Sequence, residues 1–187
     1  MRSSLAIVLL MAALPALAQS DVIEHIVAAV DGEPLLASEV AVIQKLRGLD
    51  SHAAVEALVD EMLMFREASR LPQAAPTAAE AEKAIASLRE RAGADAESLP
   101  AASLERIARR EATILKYAGF RFMPQVRVDD EEVRKAWDAE SAGRAAGPAY
   151  EDREAALRAE LTDRKLGERI EAWVKELRGS ARVRYNE

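Results

Sequence analysis

Apolar positions recur three and four residues apart through most of the chain, and the two ends of the folded region break that rhythm. Ile26 to Val30 is short, apolar and partly β-branched, and Leu35-Leu36 follows just after Asp31-Gly32. Asp-Gly supplies the positive φ that a two-residue hairpin turn needs, so this stretch predicts two antiparallel strands. Pro34 has no N–H to donate, which puts the second strand at a sheet edge or at its very start. Ser38 then reads as the N-cap of a helix over "EVAVIQKLRG", with Gly48 as its stop. Over residues 51–71, Val55, Leu58, Val59, Met62 and Phe65 fall at helical spacing and Leu63 widens the stripe. Pro72 and Pro76 close that helix.

Thr77-Ala78-Ala79-Glu80 is a capping-box pattern that opens a third helix, ending near Gly93. A fourth runs from Pro100–Ser103 to about Phe122, with Leu104, Ile107, Ala108, Ile114, Leu115 and Ala118 as its apolar positions. Asp129 caps a fifth, with Glu132 three residues on, carrying Val133 and Trp137. "SAGRAAGPAY" interrupts, and a last helix covers roughly 149–178. Glu154–Arg158, Glu160–Arg164 and Glu171–Lys175 are i,i+4 pairs in the favourable order, each contributing about 0.3–0.5 kcal/mol when exposed. Leu166, Ile170, Trp173, Val174 and Leu177 form its apolar stripe, and Gly179 is its expected end. In the tail, Val183 and Tyr185 alternate with Arg182 and Arg184, a half-buried strand pattern. A lone hairpin is marginal in water, so the tail is the natural third strand, paired with Ile26–Val30. The predicted fold class is mainly α: a helical domain of about six helices with a small sheet formed by an N-terminal hairpin and a C-terminal strand.

The first residues change the picture of location. Arg2 is followed by the apolar run Leu5–Leu14 and by the small-x-small triplet Ala16-Leu17-Ala18, the layout of a secretory signal peptide. A spanning helix needs about 20 apolar residues, more than this run supplies. Cleavage is expected between Ala18 and Gln19, with residues 1–18 as signal and 19–187 as one domain. Within that domain, 19–142 form the N-terminal part, and 149–187 the helix and strand that pack back on it. Export to the periplasm follows from that reading. There is no cysteine, so disulfides and thiolate metal sites are excluded. Aromatic content is 4%, so Leu, Ile, Val, Met and Ala must build the core.

Net charge is −6, with both signs interspersed, which argues against a nucleic-acid surface. The two histidines, His25 and His52, sit apart at element starts and read as surface or partly buried residues. No zinc-protease, nucleophile-elbow, phosphate-loop or dinucleotide motif occurs. Glu111 falls in register with the apolar positions of the fourth helix, where it reads as a boundary acid ahead of a buried one. No enzyme, metal or cofactor is expected.

"DVIEHIVAAVDGEPLLASEV" resembles the opening of the N-terminal domain of SurA-like periplasmic chaperones: strand, turn, second strand, a Ser-acidic pair (here Ser38-Glu39), helix. "ALVDEMLMFREASRL" resembles that family's second helix. "VRVDDEEVRKAWD" is similar to the segment leading into its peptidyl-prolyl isomerase module, and "RIEAWVKELRGSARVRY" to its closing helix and strand. The likeness covers most of the chain in order. The departure is that "AESAGRAAGPAY" alone stands where the family carries a parvulin module of on the order of 90 residues. The resemblance thus implies an ATP-independent chaperone of unfolded outer-membrane proteins without isomerase activity and without stable membrane insertion. Flexible apolar side chains suit adaptable peptide binding, which makes Met62, Met64, Phe65, Phe120, Phe122 and Met123 candidate contacts, each also readable as core. The alternative is a non-catalytic docking or structural subunit of an envelope or secretion complex.

Overall fold

The computed structural model describes residues 24–142 and 149–186, so the signal reading, with Ala18 and Gln19, lies outside the described residues. The elements run β1 (Ile26–Val30), β2 (Glu33–Leu36), α1 (Ala37–Arg47), α2 (Ser51–Ala68), α3 (Ala78–Ala92), α4 (Ala101–Arg121), α5 (Asp130–Ser141), α6 (Tyr150–Ser180) and β3 (Val183–Tyr185). Short 3₁₀ turns occupy Pro72–Ala74, Gly93–Ser98 and Met123–Gln125. The fold is mainly α, with a three-stranded antiparallel sheet in the order β2-β1-β3.

The sheet joins the two ends of the folded region. Asp31 and Gly32 take φ of 50° and 93° in the tight turn between β1 and β2. Pro34, opposite Ala29, lies on an edge strand. β3 pairs with the other side of β1 in the register Ala28↔Tyr185, Ala29↔Arg184, Val30↔Val183. Side chains of α2 hold the tail down: Arg178 bonds Glu56 and Asp60, and the Tyr185 hydroxyl donates to Glu56 at 2.6 Å.

Apolar burial divides into three clusters. The first joins the sheet (Ala28, Val30, Leu35) to α1, α2, α3 and α4 through Ile43, Leu58, Val59, Leu88, Leu104 and Ile107. The second gathers Ile114, Tyr117, Ala118 and Phe122 around Trp173 of α6, whose ring stacks on Tyr117 at 5.1 Å. The third is Val133 of α5 with Leu157 and Leu161 of α6, backed by Trp137 and Tyr150. α6 therefore packs on α5 with its first half and on the body with its second, then delivers β3.

Three local expectations differ. Ser38 is not a cap: β2 runs straight into α1, Leu36 holds the cap position without a side-chain bond, and Ser38 already lies in the first turn. Its N–H donates to Glu24 instead, at 3.2 Å, while its hydroxyl is buried without a partner. Gly179 does not end α6, which continues to Ser180, because this glycine keeps a negative φ. Leu115 is 69% exposed rather than part of the buried stripe. Ile114, Tyr117 and Ala118 take the inward face, and one position past Ile114 is turned by about 100°. The cap at Thr77, the cap at Asp129 and the left-handed stop at Gly48 form as read.

Candidate functional site

α3 and α4 lie side by side, and the small residues Ala84, Ser87 and Ala112 keep them from filling the space between them. The result is an open groove of about 580 Å³, running from Pro76 to Arg91 along one wall and from Glu111 to Lys116 along the other. Carbon dominates its surface, and Leu115 stands at its lip.

Ion pairs bridge the groove at both ends. Lys116 Nζ meets Glu80 Oε2 at 2.7 Å, and Arg91 meets Glu111. Glu80 is also the acid of the α3 capping box and accepts from the Thr77 N–H at 2.7 Å. Donation from Lys116, then from Thr77, lowers its pKa to about 2, so this bar stays ionised at any ordinary pH.

Behind the groove runs a chain of alternating charges. Glu111 accepts from Arg47 at 3.0 Å, and Arg47 donates to Glu61 at 2.8 Å. Arg110 lies 3.8 Å from Glu61 and donates to Glu39 at 3.1 Å, and Arg106 donates to Glu39 at 2.8 Å. Helices α1, α2 and α4 all contribute. Glu39 and Glu61 are almost fully buried. Burial raises the Glu61 pKa, outweighing the pull of Arg110 and Arg47. Glu61 Oε1 and Arg110 Nη1 face each other without a hydrogen-bond partner on either.

Sequence reasoning picked out Glu111, which the structure places at the boundary between two arginines, and missed Glu39 and Glu61. The signal was there: Glu61 sits three residues after Leu58 and four before Phe65, inside the apolar stripe of α2. His25 and His52 are both exposed. Among the described residues, no cluster of three or more histidine or acidic side chains could hold a metal ion, and no helix is long and apolar enough to cross a membrane.

A second apolar feature lies at the end of α4. Phe120 and Met123, three residues apart, are 53% and 42% exposed. Phe120 lines a shallow cleft of about 400 Å³ with Tyr117 and Leu71, rimmed by Glu67, Arg70 and Arg121. The six candidate contacts therefore separate. Phe120 and Met123 are at the surface, and Met64 and Phe65 are half-buried against the second cluster. Met62 and Phe122 are core, not contact surface: Met62 points inward from α2, and Phe122 turns onto Trp173 at 5.4 Å between ring centres.

No family model matches the chain, and no curated protein matches it. What the fold defines by itself is a helical scaffold closed by its own two ends, with an apolar groove on one face. Each of the buried acids Glu39 and Glu61 is paired with arginine.

Proposed function

We propose that the chain is an ATP-independent holder of unfolded exported polypeptides, in the manner of SurA-like chaperones, working in the periplasm on outer-membrane proteins. The observation that carries this reading is the open α3–α4 groove with Leu115 standing 69% exposed at its lip. An exposed leucine beside a carbon-lined groove gives an apolar side chain of an unfolded polypeptide a place to leave water. Clients that alternate apolar and polar residues can place single side chains there. The surface patch of Phe120 and Met123 adds an adaptable aromatic and thioether contact. Binding unfolded chains needs no nucleotide, since favourable binding alone holds them in solution.

The test is light scattering after dilution of a urea-unfolded outer-membrane barrel into buffer with the chain at near-stoichiometric amounts. Wild type is expected to suppress aggregation. Leu115→Glu is expected to lose most of that protection with stability changed by no more than about 0.5 kcal/mol, as befits a surface position. Absence of suppression by the wild type refutes the reading. Stable capture of one folded envelope protein without suppression moves it to a docking subunit. A proline-isomerisation assay on a short peptide is expected to show no activity.

A further inference from the structure

The sheet has two outer edges, and they are not alike. Val30 of β1 and Glu33 of β2 close the two-residue turn, so the next residue of β2, Pro34, faces outward. It has no N–H to offer, and that edge is blunted. β3 is different. Asp31 N–H donates to the Arg182 carbonyl at 2.8 Å, and Asn186 N–H to the Val27 carbonyl at 2.9 Å. In an antiparallel ladder the inward-bonding residues alternate, so Arg182, Arg184 and Asn186 face β1. Val183 and Tyr185 turn their N–H and C=O groups away from the sheet, and among the described residues no further strand pairs with them.

The side chains beside this edge carry charge. Ala29, Asp31, Arg182 and Arg184 share one face, and with Gly32, Ser180 and Arg66 of α2 they line a cleft of about 480 Å³. Three arginines stand there against one aspartate, and Asp31 is already engaged by Arg66 and by the Arg182 N–H. A locally cationic cleft on a chain of net charge −6 is complementary to an acidic ligand.

We infer that the outer edge of β3 takes an extended polypeptide segment as a fourth strand, one with an acidic residue opposite Arg184. The inference rests on the reading of the protein as a holder of unfolded chains and names how part of such a chain is gripped. Main-chain bonds to Val183 and Tyr185 supply affinity that ignores sequence, and alternate side chains over the arginine cleft supply preference. The residue opposite Arg184 falls at a non-hydrogen-bonded position, where cross-strand side chains approach most closely.

The probe is a fluorescein-labelled peptide of about eight residues alternating Glu and Val, a length that matches an ordinary strand. A Lys-Val peptide is the control, and binding is read by anisotropy and by amide shifts of the ¹⁵N-labelled protein. The acidic peptide is expected to bind at least about tenfold more tightly than the basic one. Shifts are expected to centre on Val183 and Tyr185. Arg182→Glu with Arg184→Glu should invert the preference. Val183→Pro removes an outward N–H that no bond within the sheet uses, and should weaken binding about tenfold, near the upper end for one hydrogen bond. Unchanged binding by Val183→Pro, or shifts centred elsewhere, overturns the proposal. So does a concentration-dependent dimer that Val183→Pro dissolves, which assigns the edge to a second copy. Aggregation suppression untouched by excess acidic peptide sinks the edge while leaving the chaperone reading intact. Peptide binding without suppression does the reverse.

Discussion

Glu39 and Glu61 are both buried carboxylates facing Arg110, yet their replacement by glutamine should have very different consequences. Glu39 accepts from Arg106 at 2.8 Å and from Arg110 at 3.1 and 3.2 Å. Glu39→Gln leaves the buried Arg110 guanidinium with only the distant Glu61 as a charged partner and turns an NH₂ toward its N–H groups. Removing one partner of a buried pair costs about 3–5 kcal/mol. Arg106 is 45% exposed on its side chain and can turn to water, so a cost of about 2–3 kcal/mol is expected. Glu61 accepts one short bond, from Arg47, and its other oxygen accepts none. An amide retains the bonded oxygen, and its NH₂ replaces an oxygen that accepts no hydrogen bond, at the expense of the 3.8 Å ionic contact with Arg110. Arg47 keeps Glu111, and Arg110 keeps Glu39. Glu61→Gln should therefore cost under about 1 kcal/mol, since the neutral group also escapes the burial penalty.

Urea unfolding at neutral pH separates the two cases, because 2–3 kcal/mol moves the midpoint by about 1 M or more at ordinary slopes. The pH profile adds a second reading. Burial raises the folded pKa of Glu61 above its unfolded value of 4.5. Its stabilising contribution is thus complete below that value and is lost as pH rises through the folded pKa. Wild-type stability should gain from Glu61 as pH falls toward 4.5, and Glu61→Gln should abolish that gain. Below about 4.5 the depressed carboxylates Asp31, Glu56, Glu80 and Glu132 act in the opposite sense, losing stability in both proteins. A cost for Glu61→Gln equal to that for Glu39→Gln, with no change in the pH slope, refutes the claim that burial dominates at Glu61.

Truncation after Gly179 removes β3, the Tyr185–Glu56 bond and the backbone bonds to Asp31 and Val27. A loss of about 3 kcal/mol is expected, lowering Tm by about 10 °C for a chain of this size, and an unchanged Tm contradicts the closing role given to the sheet. Trp173→Ala empties the centre of the second cluster, where the ring is 5% exposed and stacks on Tyr117. It should cost about 3–5 kcal/mol and flatten the near-ultraviolet circular dichroism, and a cost under about 1 kcal/mol shows that the cluster does not bind α6 to the body.

The elements were legible because their signals are local. Asp31-Gly32, the caps at Thr77 and Asp129, Gly48 and the alternation in Val183-Arg184-Tyr185 each act through a few neighbouring residues. The closing of the sheet was legible from one physical fact, that a hairpin needs a third strand. The surface was not. Leu115 and Phe122 are equally apolar in sequence, and only the rotation of α4 against its neighbours leaves one exposed and the other buried. Arg153 shows the same limit for charges. It takes Glu160, leaving the local Glu160–Arg164 reading aside, because it can also reach Glu140 of α5. The ion-pair chain leaves no local signal, because Glu39 and Glu61 find their partners on other helices.

The two walls of the groove differ in how firmly they are held. α4 buries Ser103, Leu104, Ile107, Ala108, Thr113, Ile114, Tyr117 and Ala118, and its arginines anchor the charge chain. α3 fully buries only Ala81 and Leu88; Ala84, Ile85 and Ala92 pack half-buried against the first cluster, and two ionic bars tie it to α4. Fewer fully buried side chains mean a lower free energy of local opening for α3 than for α4. A groove with one fixed wall and one lightly held wall can widen for a large side chain and close on a small one, while the Leu115 wall keeps its place. The clients proposed above, which share an apolar–polar alternation but no sequence, would need such a surface. A groove packed as tightly on both sides as α4 is on one would select a single partner instead.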